Sequence, residues 1–148
     1  MGIRRRFVSR IYWDTMLFVY LIEAHPKHGV RAREMLATME RRRDTLCTSV
    51  FTVGEVLTGP YKRGASDLAL RVREAIRPPA VELLPFTIET AERYARIRGD
   101  NRVSPPDAIH LASAAHASVD LFLTNDRRLQ GLVIPGIDFI AGMDVNLL

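Results

Sequence analysis

An α/β domain built on a mainly parallel sheet is the fold class that this sequence predicts. Short apolar strands alternate with longer amphipathic segments, and the turn residues fall between them. Acidic residues stand just after, or near, several of those apolar runs, and open parallel sheets place their sites at the carboxyl ends of strands.

Taken in order, residues 11–13 read as a buried strand and 15–24 as a helix, with His25, Pro26 and Gly29 punctuating the turn. A second helix fits 30–42, with Val30, Leu36 and Met39 facing the core. Residues 45–48 are short and β-rich. Ser49 then caps a helix carrying Phe51, Glu55 and Val56, closed by Gly59-Pro60. Residues 65–77 have helical composition and stop at Pro78-Pro79. A third strand is expected at 81–84 and a helix at 87–98, ended by Gly99. Ser104 opens a helix running through Ala117, 121–123 form a fourth strand, and 137–140 a fifth. There is no internal repeat, low-complexity tract or long linker.

The 148 residues are expected to form one domain, 1–148, with room for a real core. Hydrophobic (47%) and charged (26%) fractions are those of an ordinary globular protein. The apolar run LFVYLI is too short to span a membrane and is followed at once by Glu23. MGIRRRFVSR lacks the apolar segment and small-residue cleavage site of a signal peptide. Cys47, alone, excludes an intramolecular disulfide and fits a reducing compartment, so a cytoplasmic location is expected. Its setting, LCTSVF, reads as a buried inert thiol rather than a nucleophile.

A net charge of +4 comes with arginine clusters at 4–6, 41–43 and 127–128. Such a balance favours polyanionic partners, although 41–43 also fit a helix end, where positive charge is welcome.

The chemistry resides in four acids: Asp14 in IYWDT, Glu55 in TVGEVLTG, Asp107 in SPPDAIHLASA and Asp126 in LFLTNDRRL. Asp14 and Asp126 follow strands and should share one rim of the sheet, while Glu55 and Asp107 sit on helices able to lean over it. Taken singly, each has a structural explanation. Asp14 suits a helix N-cap, Ser104 and Asp107 a capping box with Pro105 at the first helical position, and Asn125-Asp126 a turn. Glu55 suits a water-facing position, although it is set among apolar and small residues, where a carboxylate needs a partner. Together they suit a hard divalent cation, which takes oxygen ligands and can hydrolyse phosphodiesters.

These motifs in this order, WDT after a strand, E-V-L-x-G, PPDAIHLASA and LTND, resemble the PIN domains, and most nearly the VapC-type ribonuclease toxins of bacterial toxin–antitoxin pairs. The resemblance runs from about Ile11 to Leu129. Met16 departs from it, standing where the family often has asparagine. The resemblance implies a three-layer α/β/α fold, Mg²⁺ or Mn²⁺ held by the acids, RNA as substrate, a cognate antitoxin that blocks the site, and a homodimer. By matching positions it implies Asp14 and Asp107 as direct ligands, with Glu55 and Asp126 completing the site directly or through water. Thr124 is expected to hydrogen-bond the attacking water or an acid, or else to be a plain strand-end threonine. Arg127 and Arg128 are expected to hold the substrate backbone, with Lys62 and Arg63 as weaker candidates.

Other chemistries fit less well. A haloacid-dehalogenase-type phosphatase needs a second Asp where Met16 stands, and no Walker loop or dinucleotide glycine fingerprint is present. His110 and His116, six residues apart, share no helix face for zinc, and His110 reads as a packing residue; His25 and His28 read as exposed. No nucleophile elbow supports a Ser-His-Asp triad. A non-catalytic binding module and an RNA-maturation nuclease both remain open.

Overall fold

The computed structural model describes residues 9–146; the arginine cluster at 4–6 lies outside them. Its elements are β1 (Arg10–Trp13), α1 (Thr15–Ile22), α2 (Gly29–Arg42), β2 (Thr45–Ser49), α3 (Val50–Lys62), α4 (Ser66–Ala75), β3 (Glu82–Leu84), α5 (Ile88–Asp100), α6 (Pro105–His116), β4 (Leu121–Leu123), α7 (Arg127–Gln130) and β5 (Phe139–Ala141). The sheet is all parallel, ordered β3-β2-β1-β4-β5.

This order explains the layering. The chain steps outward from β1 to β2 to β3, then returns past its starting point to β4 and β5. Parallel crossovers are right-handed, so reversing direction moves the connecting helices to the opposite face. Helices α1 to α4 accordingly cover one face and α5 to α7 the other, as a three-layer α/β/α fold. The alternating side chains of β1 divide between the two cores. Ile11 and Trp13 pack with Leu17, Phe18, Met35 and Met39, whereas Tyr12 packs with Phe122, Leu111 and Ala112. The reversal leaves a topological switch point beside β1, where the carboxyl ends of β1 and β4 lie side by side.

Several expectations shift. Helix α3 does not close at Gly59-Pro60 but continues to Lys62, with buried Pro60 inside its last turn. Similarly, α5 runs past Gly99 to Asp100. On α2 the buried stripe is Ala32, Met35 and Met39, with Leu36 half-buried, and Val30 is 53% exposed. Its place in the first turn points it away from that stripe. His25 and His28 are half-buried rather than exposed, stacked on each other and against Tyr20. The short helix α7 was not expected, and β5 begins two residues later than predicted. Cys47 is buried and free as expected, and burial pushes its thiol up to about 12.

Candidate active site

Asp14 follows β1 directly, and its N–H donates to Leu123 O at 3.0 Å, so the ends of β1 and β4 are pinned together. Asp14 caps α1: Oδ1 accepts from Thr15 N–H at 2.9 Å, and Oδ2 accepts from the Thr124 hydroxyl at 2.7 Å. Thr124 is wholly buried, and its hydroxyl oxygen also accepts from Asp126 N–H at 3.0 Å. One threonine therefore contacts the carboxylate of Asp14 and the backbone of Asp126.

Asp126 caps α7. Its carboxylate accepts from Arg128 N–H (2.9 Å), Nε (3.1 Å) and Nη2 (2.7 Å). These bonds hold its carboxyl below the usual carboxylate range. The neighbouring Asn125 donates to the Tyr20 hydroxyl at 2.9 Å, a structural contact. Capping and site membership are thus compatible for Asp14 and Asp126, because a strand-to-helix turn is where both occur.

Glu55 leans in from α3. Burial pushes its carboxyl up, but hydrogen bonds from His110 and Thr15 outweigh burial and hold it below its ordinary value. Asp107 sits in the first turn of α6, where its backbone N–H donates to Ser104 Oγ at 3.3 Å. Here burial dominates, reinforced by repulsion from Asp14 and Asp126, and the carboxyl is raised despite the Ser104 hydroxyl. Protein donors thus compensate Glu55 and Asp126, whereas Asp107 carries a raised carboxyl.

All four acids line one cavity of about 300 Å³ together with Thr15, Met16, Tyr20, His110 and Asn125. Met16, at the position where the family often carries asparagine, is 45% exposed there. Arg63 is elsewhere, 3.8 Å from Glu23, and Arg127 is exposed at the start of α7. The residue that sequence reasoning undervalued is His110. It is buried as a packing residue would be, yet its Nε2 lies 2.6 Å from Glu55 Oε1 and 3.7 Å from Asp14 Oδ1. Its signal was its place one turn after Asp107, which puts both side chains on the same helix face. His116 is apart, lining a separate cavity between α5 and α6.

The PIN domain family model matches residues 11–133. No curated protein matches the chain significantly. Among solved structures, VapBC2 from Rickettsia felis, bound to a DNA fragment from its promoter, superposes with a TM-score of 0.69 at 17% identity, covering 90% of this chain and 98% of that one. A toxin–antitoxin complex from Klebsiella pneumoniae gives 0.64 at 23%, covering 86% and 94%. VapC20 from Mycobacterium tuberculosis, a sarcin–ricin-loop-cleaving toxin, gives 0.66 at 22%, covering 83% and 96%.

Proposed function

This chain belongs to the PIN domain family, and from that premise we propose that it is a divalent-metal-dependent endoribonuclease, the toxin of a toxin–antitoxin pair. The observation that carries the reading is the single cavity at the switch point, lined by Asp14, Glu55, Asp107 and Asp126 from four separate elements.

The donor set fits a hard cation. Every acidic group there offers oxygen, and the one nearby imidazole nitrogen is already engaged with Glu55. Among the described residues, no three His, Cys, Asp or Glu side chains form a ready-made metal cage. In this reading Mg²⁺ or Mn²⁺ would be held by one or two carboxylates and water, since Mg²⁺ dehydrates reluctantly. A carboxylate has about four acceptor positions, and Asp14 uses two of them, one per oxygen. Asp107, its carboxyl raised by burial and by repulsion from Asp14 and Asp126, gains most from a cation. Asp14 and Asp107 are therefore the direct ligands in this reading. Glu55 and Asp126, compensated by His110 and Arg128, act through water.

A bound cation would lower the pKa of its water and offset charge on the scissile phosphate. In this reading Thr124 keeps Asp14 and Asp126 in register, and Glu55 accepts a proton from the attacking water. Arg127 and Arg128 follow Asp126 on α7 and in this reading meet the RNA backbone, Arg128 while also holding Asp126. The net charge of +4 favours polyanionic partners in general. A cognate antitoxin, a homodimer and a cytoplasmic location complete the proposal; the similar fold in a toxin–antitoxin complex from Klebsiella pneumoniae supports the first. No helix among the described residues is long and apolar enough to cross a membrane.

The test is cleavage of a total-RNA pool that includes ribosomal RNA, with Mg²⁺, Mn²⁺ or excess chelator, and with Asp14→Asn prepared identically. Metal-dependent cutting that disappears in the variant is expected. Cutting that survives both chelator and Asp14→Asn would remove the metal mechanism. Folded, antitoxin-free protein that neither cuts RNA nor binds either ion would leave a non-catalytic module. Growth arrest on expression would separate a toxin from an RNA-maturation nuclease using the same site.

A further inference from the structure

Glu55 is served by a chain of hydrogen bonds that passes through the core and has a definite direction. At its far end, the N–H of Ser49, the last residue of β2, donates to the Tyr12 hydroxyl oxygen at 3.2 Å. Tyr12 is fully buried, and burial pushes its phenol well above its ordinary range, so the hydroxyl keeps its proton. That proton needs an acceptor, and His110 Nδ1 lies 2.6 Å away. Nearby hydroxyls are otherwise engaged: Thr48 donates to Trp13 O at 2.8 Å, and Thr52 lies 2.7 Å from Thr48 and 3.5 Å from Nδ1. With Nδ1 accepting, the ring proton belongs on Nε2, which faces Glu55 Oε1 at 2.6 Å. Each group in the series thus donates toward the cavity, and each buried polar atom is satisfied.

We propose that His110 is a positioning residue held by Tyr12 as the Nε2–H tautomer, so that it donates to Glu55 and fixes the orientation of that carboxylate at the edge of the site. The role rests on the nuclease reading for its catalytic consequence, but the hydrogen-bond direction stands independently of it. The Phe51 ring, 5.5 Å from the imidazole, and Thr15, which shares Glu55 Oε1, leave the ring little freedom to turn. A residue that orients a reacting or metal-held group through a second hydrogen bond is commonly worth about 10- to 100-fold in activity.

The experiment has two arms on the full chain. In the first, the ¹⁵N-histidine-labelled protein is examined at neutral pH by long-range ¹H–¹⁵N correlation, which reports which ring nitrogen carries the proton. His110 is expected in the Nε2–H pattern, and Tyr12→Phe, which removes the donor to Nδ1, should displace it. An Nδ1–H or doubly protonated pattern in the wild-type chain overturns the proposal, whether or not RNA is cut. In the second arm, His110→Ala should lower kcat by about 100-fold with a smaller change in KM, and His110→Gln, whose amide can donate toward Glu55, should recover about tenfold of that loss. Equal loss in both variants, each verified as folded, would make His110 a packing residue. Loss of cleavage in the wild type with the expected tautomer would instead fault the nuclease reading alone.

Discussion

Asp107 is where the electrostatics of the site can be weighed most directly. Its folded pKa is raised, by burial first and by Asp14 and Asp126 in addition, so the folded chain binds more protons there than the unfolded chain. Stability linked to this group therefore falls as pH rises from the ordinary carboxylate range through the folded pKa, and the penalty is complete above it. Asp107→Asn removes the penalty. It also keeps the helix cap, because the bond to Ser104 runs through the backbone N–H of residue 107. We expect metal-free Asp107→Asn to melt about 1–2 °C above wild type at neutral pH. The difference should vanish below the ordinary carboxylate range, and cleavage should be lost. Scanning calorimetry at several pH values checks this; a lower neutral melting point would show that the carboxylate contributes to capping after all. The same residue shows what was legible beforehand. Asp14 and Asp126 were locatable because a residue that ends a strand has a determined address on the sheet rim. His110 was not, because helical spacing says that two side chains share a face but cannot say that a buried imidazole meets Glu55, 55 positions earlier. Nor could spacing show that Arg128 folds back onto Asp126.

Elements carry the site as units, and α6 carries more of it than any other helix. Asp107 and His110 project from its first turns, while Leu111, Ala112, Ala114 and Ala115 bury its length against the sheet. Its start is defined by Ser104, whose side chain accepts from Asp107 N–H, and by Pro105, which needs no donor at that position. Ser104→Ala should cost about 1 kcal/mol and lower the melting point by roughly 2–4 °C. Because the first turn frays before the buried remainder, activity should suffer through weaker metal binding, with saturation by metal restoring most of it. A calorimetric scan paired with a metal titration of cleavage distinguishes this from general unfolding, which excess metal would not selectively repair. Strong elements such as α6 were readable from Ser104, the prolines and an apolar run. The four-residue α7 was not, since TNDRRLQ has turn chemistry and its helix exists because Asp126 caps it and Leu129 is buried beneath. Pro60 misled as well: a proline removes one helical hydrogen bond, yet here the helix continues past it to Lys62.

At the scale of the whole molecule, the four acids come from segments on both sides of the sheet: the β1–α1 and β4–α7 turns, α3 from one helical layer and α6 from the other. The right-handed connections force that convergence, since reversing the direction of strand addition at β1 opens the switch point and puts α3 and α6 on opposite sides of it. An ion held there would bridge parts of the chain more than ninety residues apart in sequence, counting from Asp14 to Asp107. No such site exists in the unfolded chain, so binding would add to folding stability by mass action. At a hundredfold excess over its Kd the gain is about 2.7 kcal/mol, equivalent to a rise of roughly 5–10 °C in melting temperature. Mg²⁺ and Mn²⁺ should each raise the midpoint progressively with concentration, and chelator should return it to the metal-free value. Asp14→Asn should keep the fold, since asparagine also serves as an N-cap, while losing most of the metal-dependent rise. A midpoint indifferent to millimolar metal in the wild type would sink direct ligation by Asp14 and Asp107. A rise that persists in Asp14→Asn would move the ion away from the switch point, and with it the chemistry assigned to the rim of the sheet.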